Sequence, residues 1–260
     1  MARYTADTDV DDLLNRLLPE TQALLGDRFV GMYLHGSLAL GDFDPDRSDI
    51  DFVVVTDGDP PPACVAGLEQ MHASIALSDL KWRTNYEGSY IPRQYVRRHD
   101  LEHSMHPAVR VDGSFGIDRH GAEWIIQRHV TREKGLTLAG PDPKTLIDPV
   151  SPNELRQAVK GLLLEWWAPQ VQDPQRLQSS EYQAYAVLTM CRAHYTLEHG
   201  TVVSKPVAAR WAMNAPVVGQ WAPLIEQALA WRHGAQLDQM EEVLRLIRQT
   251  IRAAGLSHSP

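Results

Sequence analysis

Cysteine is scarce in this sequence: Cys64 and Cys191 are the only two among 260 residues, and they lie far apart. A disulfide-stapled scaffold or a cysteine-rich zinc module needs more thiols at closer spacing, so the two are read as reduced core residues. Long apolar runs are missing as well, which excludes a helical membrane span and sets the expectation of no membrane partner. The opening stretch MARYTADTDVDD has no basic segment followed by an apolar one. No secretory signal is expected, and the cytoplasm is the expected location. Positive charge is in short supply: 25 Lys and Arg stand against 33 Asp and Glu, a net charge of -8. Such a surface repels nucleic acid and attracts cationic ligands. Internal repeats, low-complexity tracts and a His-Glu-x-x-His motif are also lacking.

What is there reads as two domains of different texture. Residues 10–26 place leucines at helical spacing and end at Gly26. Phe29–Leu34 and Ile50–Val55 are β-rich apolar runs bounded by Gly36 and by Asp57-Gly58, so both are expected to be buried strands. A helix is expected from Cys64 to Ser74, then an extended stretch from Asp79 to Ile91 closed by Pro92. The proline-rich segment 138–154 ends in Ser151-Pro152-Asn153-Glu154, a capped helix start, and places a domain boundary near residue 150. Beyond it the periodic stretches 154–167, 181–199, 223–232 and 237–253 all read as helix. In the last, Met240, Val243, Leu244, Ile247 and Ile251 share one face, as in a bundle. The expected fold class is α/β: a mixed β-sheet with flanking helices over 1–150, followed by an α-helical bundle over 151–260.

The chemistry concentrates around two short motifs. Asp49 and Asp51 flank Ile50 at the start of an expected strand, and alternation along a strand points residues two apart to one face. Their Cα atoms are then roughly 7 Å apart, close enough for both carboxylates to hold a hard divalent cation. Twelve residues earlier, Gly36-Ser37 follows a strand and precedes a short helix, where backbone N–H groups and a missing side chain suit a phosphate. The Ser37 and Ser48 hydroxyls would add hydrogen bonds to triphosphate oxygens. Glu87, on the next expected strand, would bring a third carboxylate to the same sheet edge.

Gly36-Ser37 followed by Ser48-Asp49-Ile50-Asp51 resembles the hallmark of the polymerase-β-type nucleotidyltransferases. More closely, the chain resembles aminoglycoside adenylyltransferases of the streptomycin and spectinomycin 3''(9) type. The likeness runs through YLHGSLALGDFDPDRSDIDFVVV, Glu87, LAGPDPKTLIDPV and VLTMCRAHYTLEHGTVVSKPVAARWAM. It implies an N-terminal nucleotidyltransferase domain and a helical domain that clamps ATP and substrate, with the active site in the cleft between them. It further implies ATP as co-substrate, Mg2+ (two ions) on Asp49, Asp51 and Glu87, and Glu87 as the base acting on the acceptor hydroxyl. Arg192 and Lys205 are implied as ATP contacts, and Trp231 falls where the family has an aromatic near the nucleotide. The implied partner is a cationic, hydroxylated antibiotic, and the oligomeric state is left open, a monomer being compatible. The stretch SSEYQAYA departs from the pattern: Glu181 is its only acid, and Tyr182 stands near a position where the family has aspartate. Spectinomycin is therefore expected to be a better acceptor than streptomycin.

Three other readings stand beside this one, the first being a nucleotidyltransferase that acts on a different small-molecule or protein hydroxyl. His99, His103 and His106 fall at i, i+4 and i+7, one face if the segment is helical, which would suit a zinc hydrolase. A nucleotide-binding protein without catalysis would share the fold, although the intact Asp49, Asp51 and Glu87 argue for turnover.

Overall fold

The computed structural model describes residues 2–256, which fall into two compact units dividing between Pro149 and Val150. The first contains α1 (Thr8–Leu25), β1 (Phe29–Leu34), α2 (Gly36–Leu40), β2 (Ile50–Thr56), α3 (Pro62–Ala76) and β3 (Tyr86–Pro92). It continues through α4 (Arg93–Arg97), β4 (Met105–Val109), β5 (Phe115–Arg119), α5 (Glu123–Lys134), β6 (Leu136–Ala139) and α6 (Pro143–Leu146). The strands form one sheet in the order β5-β4-β3-β2-β1-β6. Its ladders are antiparallel except β2 with β3, which run parallel because α3 carries the chain back across the sheet.

The strand β2 is buried on both faces, which explains its nearly unbroken apolar sequence. Phe52 and Val54 join Leu13, Leu14 and Leu17 of α1 and Leu68 of α3 in one core. Val53 and Val55 join Tyr33, Ile91 and Trp124 in a second core on the opposite face. Asp51 is two residues before Val53, and Glu87 is two and four before Ser89 and Ile91, so both acids belong to the second face. The helix α1 is started by the Asp7 carboxylate, which accepts from the N–H groups of Asp9 and Val10.

The second unit holds α7 (Pro152–Leu162), α8 (Ala168–Gln172), α9 (Ser180–His199), α10 (Lys205–Ala212), α11 (Ala222–Ala230) and α12 (Met240–Ala253). A reciprocal capping box opens α7: Ser151 Oγ accepts from the Glu154 N–H, and Glu154 reaches back to the Ser151 N–H. Central to the unit is α9, which touches α7, α10, α11 and α12. Its small residues Ala184, Ala186, Cys191 and Ala193 are buried and let these neighbours approach closely. The helix α12 turns Val243, Leu244, Ile247 and Ile251 inward, as its periodicity requires. Among the described residues no helix is long and apolar enough to cross a membrane.

Some expectations need correction. The stretch from Asp79 is extended only from Tyr86; before it, turns close through Arg83 N–H to Leu80 C=O and Asn85 N–H to Trp82 C=O. The segment 99–106 is not helical, because α4 stops at Arg97 and His106 is already in β4, paired with Asp118.

Candidate active site

The site starts where β1 ends. The His35 N–H donates to the Asp51 carbonyl at 3.0 Å, which ties the turn after β1 to the start of β2. Gly36 then has φ +57°, and a Cβ there would come within 1.7 Å of Asp51 Oδ2. Only glycine satisfies both the backbone angle and the close approach. The next residue, Ser37, has a buried hydroxyl with no hydrogen-bond partner among the described residues. The hydroxyl oxygen of Ser48 accepts from the Asp44 N–H at 3.1 Å, and its carbonyl accepts from Asn85 at 3.0 Å. Ser48 therefore fastens the loop that delivers Asp49.

In the parallel β2–β3 ladder Asp51 sits directly across from Glu87. Gly88 permits this, since a Cβ there would lie 2.2 Å from the Phe52 ring. Asp49, Asp51 and Glu87 each offer a carboxylate oxygen, all within 4.8 Å of one another, and each residue is half-buried. Like charges this close repel by about 3–4 kcal/mol per pair at an effective dielectric near 20. Such a donor set of oxygens alone suits a hard divalent cation such as Mg2+ or Ca2+. His35 lies against this group; burial lowers its pKa to about 4 despite the opposing pull of Asp49, so the imidazole is neutral at pH 7. Sequence reading did not single out His35; its place beside Gly36-Ser37 was the available signal.

The ring nitrogens of the 99–106 histidines do not converge on one point, although His103 and His106 both pack against Tyr95. His103 bonds Asp100 at 2.8 Å and stacks on Tyr95, while His106 is buried in β4 with its pKa lowered to about 4 by burial. Among the described residues the acidic triad is the group whose ligand atoms converge, so a zinc site on His99, His103 and His106 is not formed.

In the second unit, Arg192 projects from α9 and Lys205 opens α10, whose N-cap Ser204 accepts from the Val207 N–H. Lys205 Nζ lies 4.2 Å from the Tyr185 ring centroid, a cation–π contact. Trp231 is 7% exposed and its indole N–H donates to the Ala235 carbonyl, so its polar handle serves the local fold. Tyr182 accepts from the Trp166 indole, and the Arg176 guanidinium lies over both rings, 5.0 and 5.9 Å from their centroids.

Residues 14–104 match the family model for the nucleotidyltransferase domain, and residues 145–255 that for the aminoglycoside adenylyltransferase C-terminal domain. The chain belongs to the aminoglycoside adenylyltransferase family. Curated relatives of this nucleotidyltransferase include an aminoglycoside (3'') (9) adenylyltransferase of Shigella flexneri, 24% identical over 96% of this chain and 97% of the relative. A spectinomycin 9-adenylyltransferase of Campylobacter jejuni is 22% identical over 88% of each chain. In fold, the adenylyltransferase is similar to the crystal structure of spectinomycin adenyltransferase AAD(9) from Enterococcus faecialis with ATP and spectinomycin. The TM-score is 0.72 at 17% identity, covering 94% of this chain and 98% of that one. The enzyme thus joins a nucleotidyltransferase domain bearing the acidic triad to a helical domain of the aminoglycoside adenylyltransferase kind.

Proposed function

We propose that this enzyme transfers AMP from Mg-ATP to a hydroxyl of a cationic antibiotic, spectinomycin in preference to streptomycin, and thereby confers resistance. The observation that carries this reading is the convergence of Asp49, Asp51 and Glu87 beside the Gly36-Ser37 turn. The relatives, aminoglycoside (3'') (9) and spectinomycin 9-adenylyltransferases among them, point to the same substrate class.

Asp49 and Asp51, with Glu87, would hold Mg2+, which supplies charge neutralisation on the triphosphate and on the attacking oxygen. Ser37 and the N–H groups of its turn would bind phosphate oxygens, giving the orphaned Ser37 hydroxyl a partner. Glu87 would take the acceptor's proton as that oxygen bonds to the α-phosphorus and the bond to the β-phosphate oxygen breaks, releasing pyrophosphate. Arg192 and Lys205 would contact the triphosphate, and the Trp231 ring would stand near the nucleotide.

The preference for spectinomycin is supported by the Trp166–Tyr182 pair. The faces of these rings already carry the guanidinium of Arg176, and Tyr182 offers no carboxylate to pair with a guanidinium of streptomycin. Incubation with Mg-ATP and a panel of aminoglycosides and related cations, followed by mass spectrometry, tests the reading. A mass gain of one AMP on spectinomycin is expected; no adduct on any acceptor refutes it.

A further inference from the structure

Within the first unit a cavity of about 150 Å³ opens beside Glu87. Its wall includes Ser89, His120, Glu123, Trp124 and Gln127. The sheet explains the grouping. Glu87 and Ser89 are two apart on β3 and share a face. His120 directly follows β5 and reaches across β4, placing its Nε2 2.7 Å from Ser89 Oγ. Glu123 and Trp124 then begin α5.

Two polar atoms of this wall lack a hydrogen-bond partner among the described residues: His120 Nδ1 and Trp124 Nε1. Their side chains are nearly closed to solvent, at 7% and 2% exposure. Buried polar atoms are ordinarily satisfied, so orphans beside a cavity mark a place for something polar. The volume is that of several water molecules, enough for one edge of a polyol ring and too small for a nucleotide. Glu87 and Glu123 bring negative charge to it. The arginines at its rim, Arg110 and Arg119, are exposed, and Arg110 is bonded to Asp118. Such a lining suits an ammonium or hydroxyl group better than a triphosphate.

We propose that this cavity binds the part of the acceptor next to the hydroxyl that is adenylylated, a ring edge bearing hydroxyl and ammonium groups. The Trp124 indole donates to one of its oxygens, the His120–Ser89 pair fixes a neighbouring hydroxyl, and Glu123 faces the ammonium. Burial keeps the His120 pKa below its ordinary value, so at pH 7 its ring offers one donor and one acceptor nitrogen. The cavity thereby selects which hydroxyl reaches Glu87.

The inference rests on the adenylyl-transfer reading, and initial-rate kinetics with spectinomycin and Mg-ATP separate the two. In His120→Phe, which keeps a ring against His106 and Trp124, and in Glu123→Gln, the spectinomycin KM is expected to rise about tenfold with the ATP KM unchanged. Ser89→Ala, which removes only a hydroxyl, should raise it less and covers the case in which His120→Phe does not fold. An unchanged spectinomycin KM in the folded variants, or a rise in the ATP KM instead, overturns the cavity assignment and leaves the functional reading intact. Wild-type enzyme that adenylylates no member of the panel refutes both.

Discussion

In the N-terminal unit the acids of interest stand on or beside neighbouring strands; in the C-terminal unit the cations of interest start from separate helices. A strand ladder converts a spacing of two residues into a shared face and an across-strand partner into a contact. Asp49, Asp51 and Glu87 therefore meet by register alone. A helical bundle gives no such rule between helices, so Arg192, Lys205 and Trp231 carry meaning only through their family pattern. The units also differ in how many histidines they bury, and each difference can be probed.

The largest effect belongs to the strand site. Asp49→Asn and Asp51→Asn should each lower AMP transfer by about a hundredfold to a thousandfold while leaving the fold intact, because each removes an anionic metal ligand. Turnover at saturating magnesium measures this. Near-normal rates in either variant would dissolve the contrast between register-built and pattern-inferred residues.

Acid should act unevenly on the two units. In the first, burial lowers the pKa of His35 to about 4, His72 to about 3 and His106 to about 4; in the second, that of His194 falls to about 4. These histidines stay neutral when folded but take up protons near pH 6.5 when unfolded, so the unfolded state binds more protons below that pH. Their contribution is flat above about pH 6.5 and destabilising as pH falls toward the folded values. Each costs about 1.4 kcal/mol per pH unit in that window, and burial also lowers the pKa of His99, His120 and His129 of the first unit, so that unit should lose at least about three times as much as the second. Amide-exchange protection compared at about pH 7 and about pH 5 reads this, and equal losses would contradict it.

Much of this architecture was legible beforehand, and the gaps have physical causes. Phe29–Leu34 and Ile50–Thr56 are strands because both carry apolar residues on both faces, announced by an apolar, partly aromatic run in the first and by Val53-Val54-Val55 in the second. The α7 start was announced by its capping box. The β4–β5 hairpin was not foreseen: Pro107 argues against a strand, yet β4 pairs with β3 only at Ala108 and Val109, so the missing N–H falls outside that ladder. His99, His103 and His106 looked helical by spacing, but strand pairing at Met105–Val109 overrides that local pattern. The cavity beside Glu87 was invisible because Ser89 and His120 meet through the sheet, 31 residues apart.

Smaller effects are expected from the helical unit. Arg192→Ala and Lys205→Ala should weaken ATP binding by about 1.5–3 kcal/mol each, read by calorimetry, since each removes a charge-assisted contact. Unchanged affinity in both would confine nucleotide binding to the first unit. The smallest effect concerns the acceptor: initial rates with streptomycin should fall more than about tenfold below those with spectinomycin, as one guanidinium loses its carboxylate. Equal efficiency would remove Tyr182 and Arg176 from the account.

The most direct test of the central claim is Mn2+ binding in the presence of ATP, followed by electron paramagnetic resonance, in wild type and Asp51→Asn. The carboxylate triad predicts saturable binding by the wild type and at least about tenfold weaker binding by the variant. Identical titration curves for the two proteins would show that Asp49, Asp51 and Glu87 converge without holding a metal.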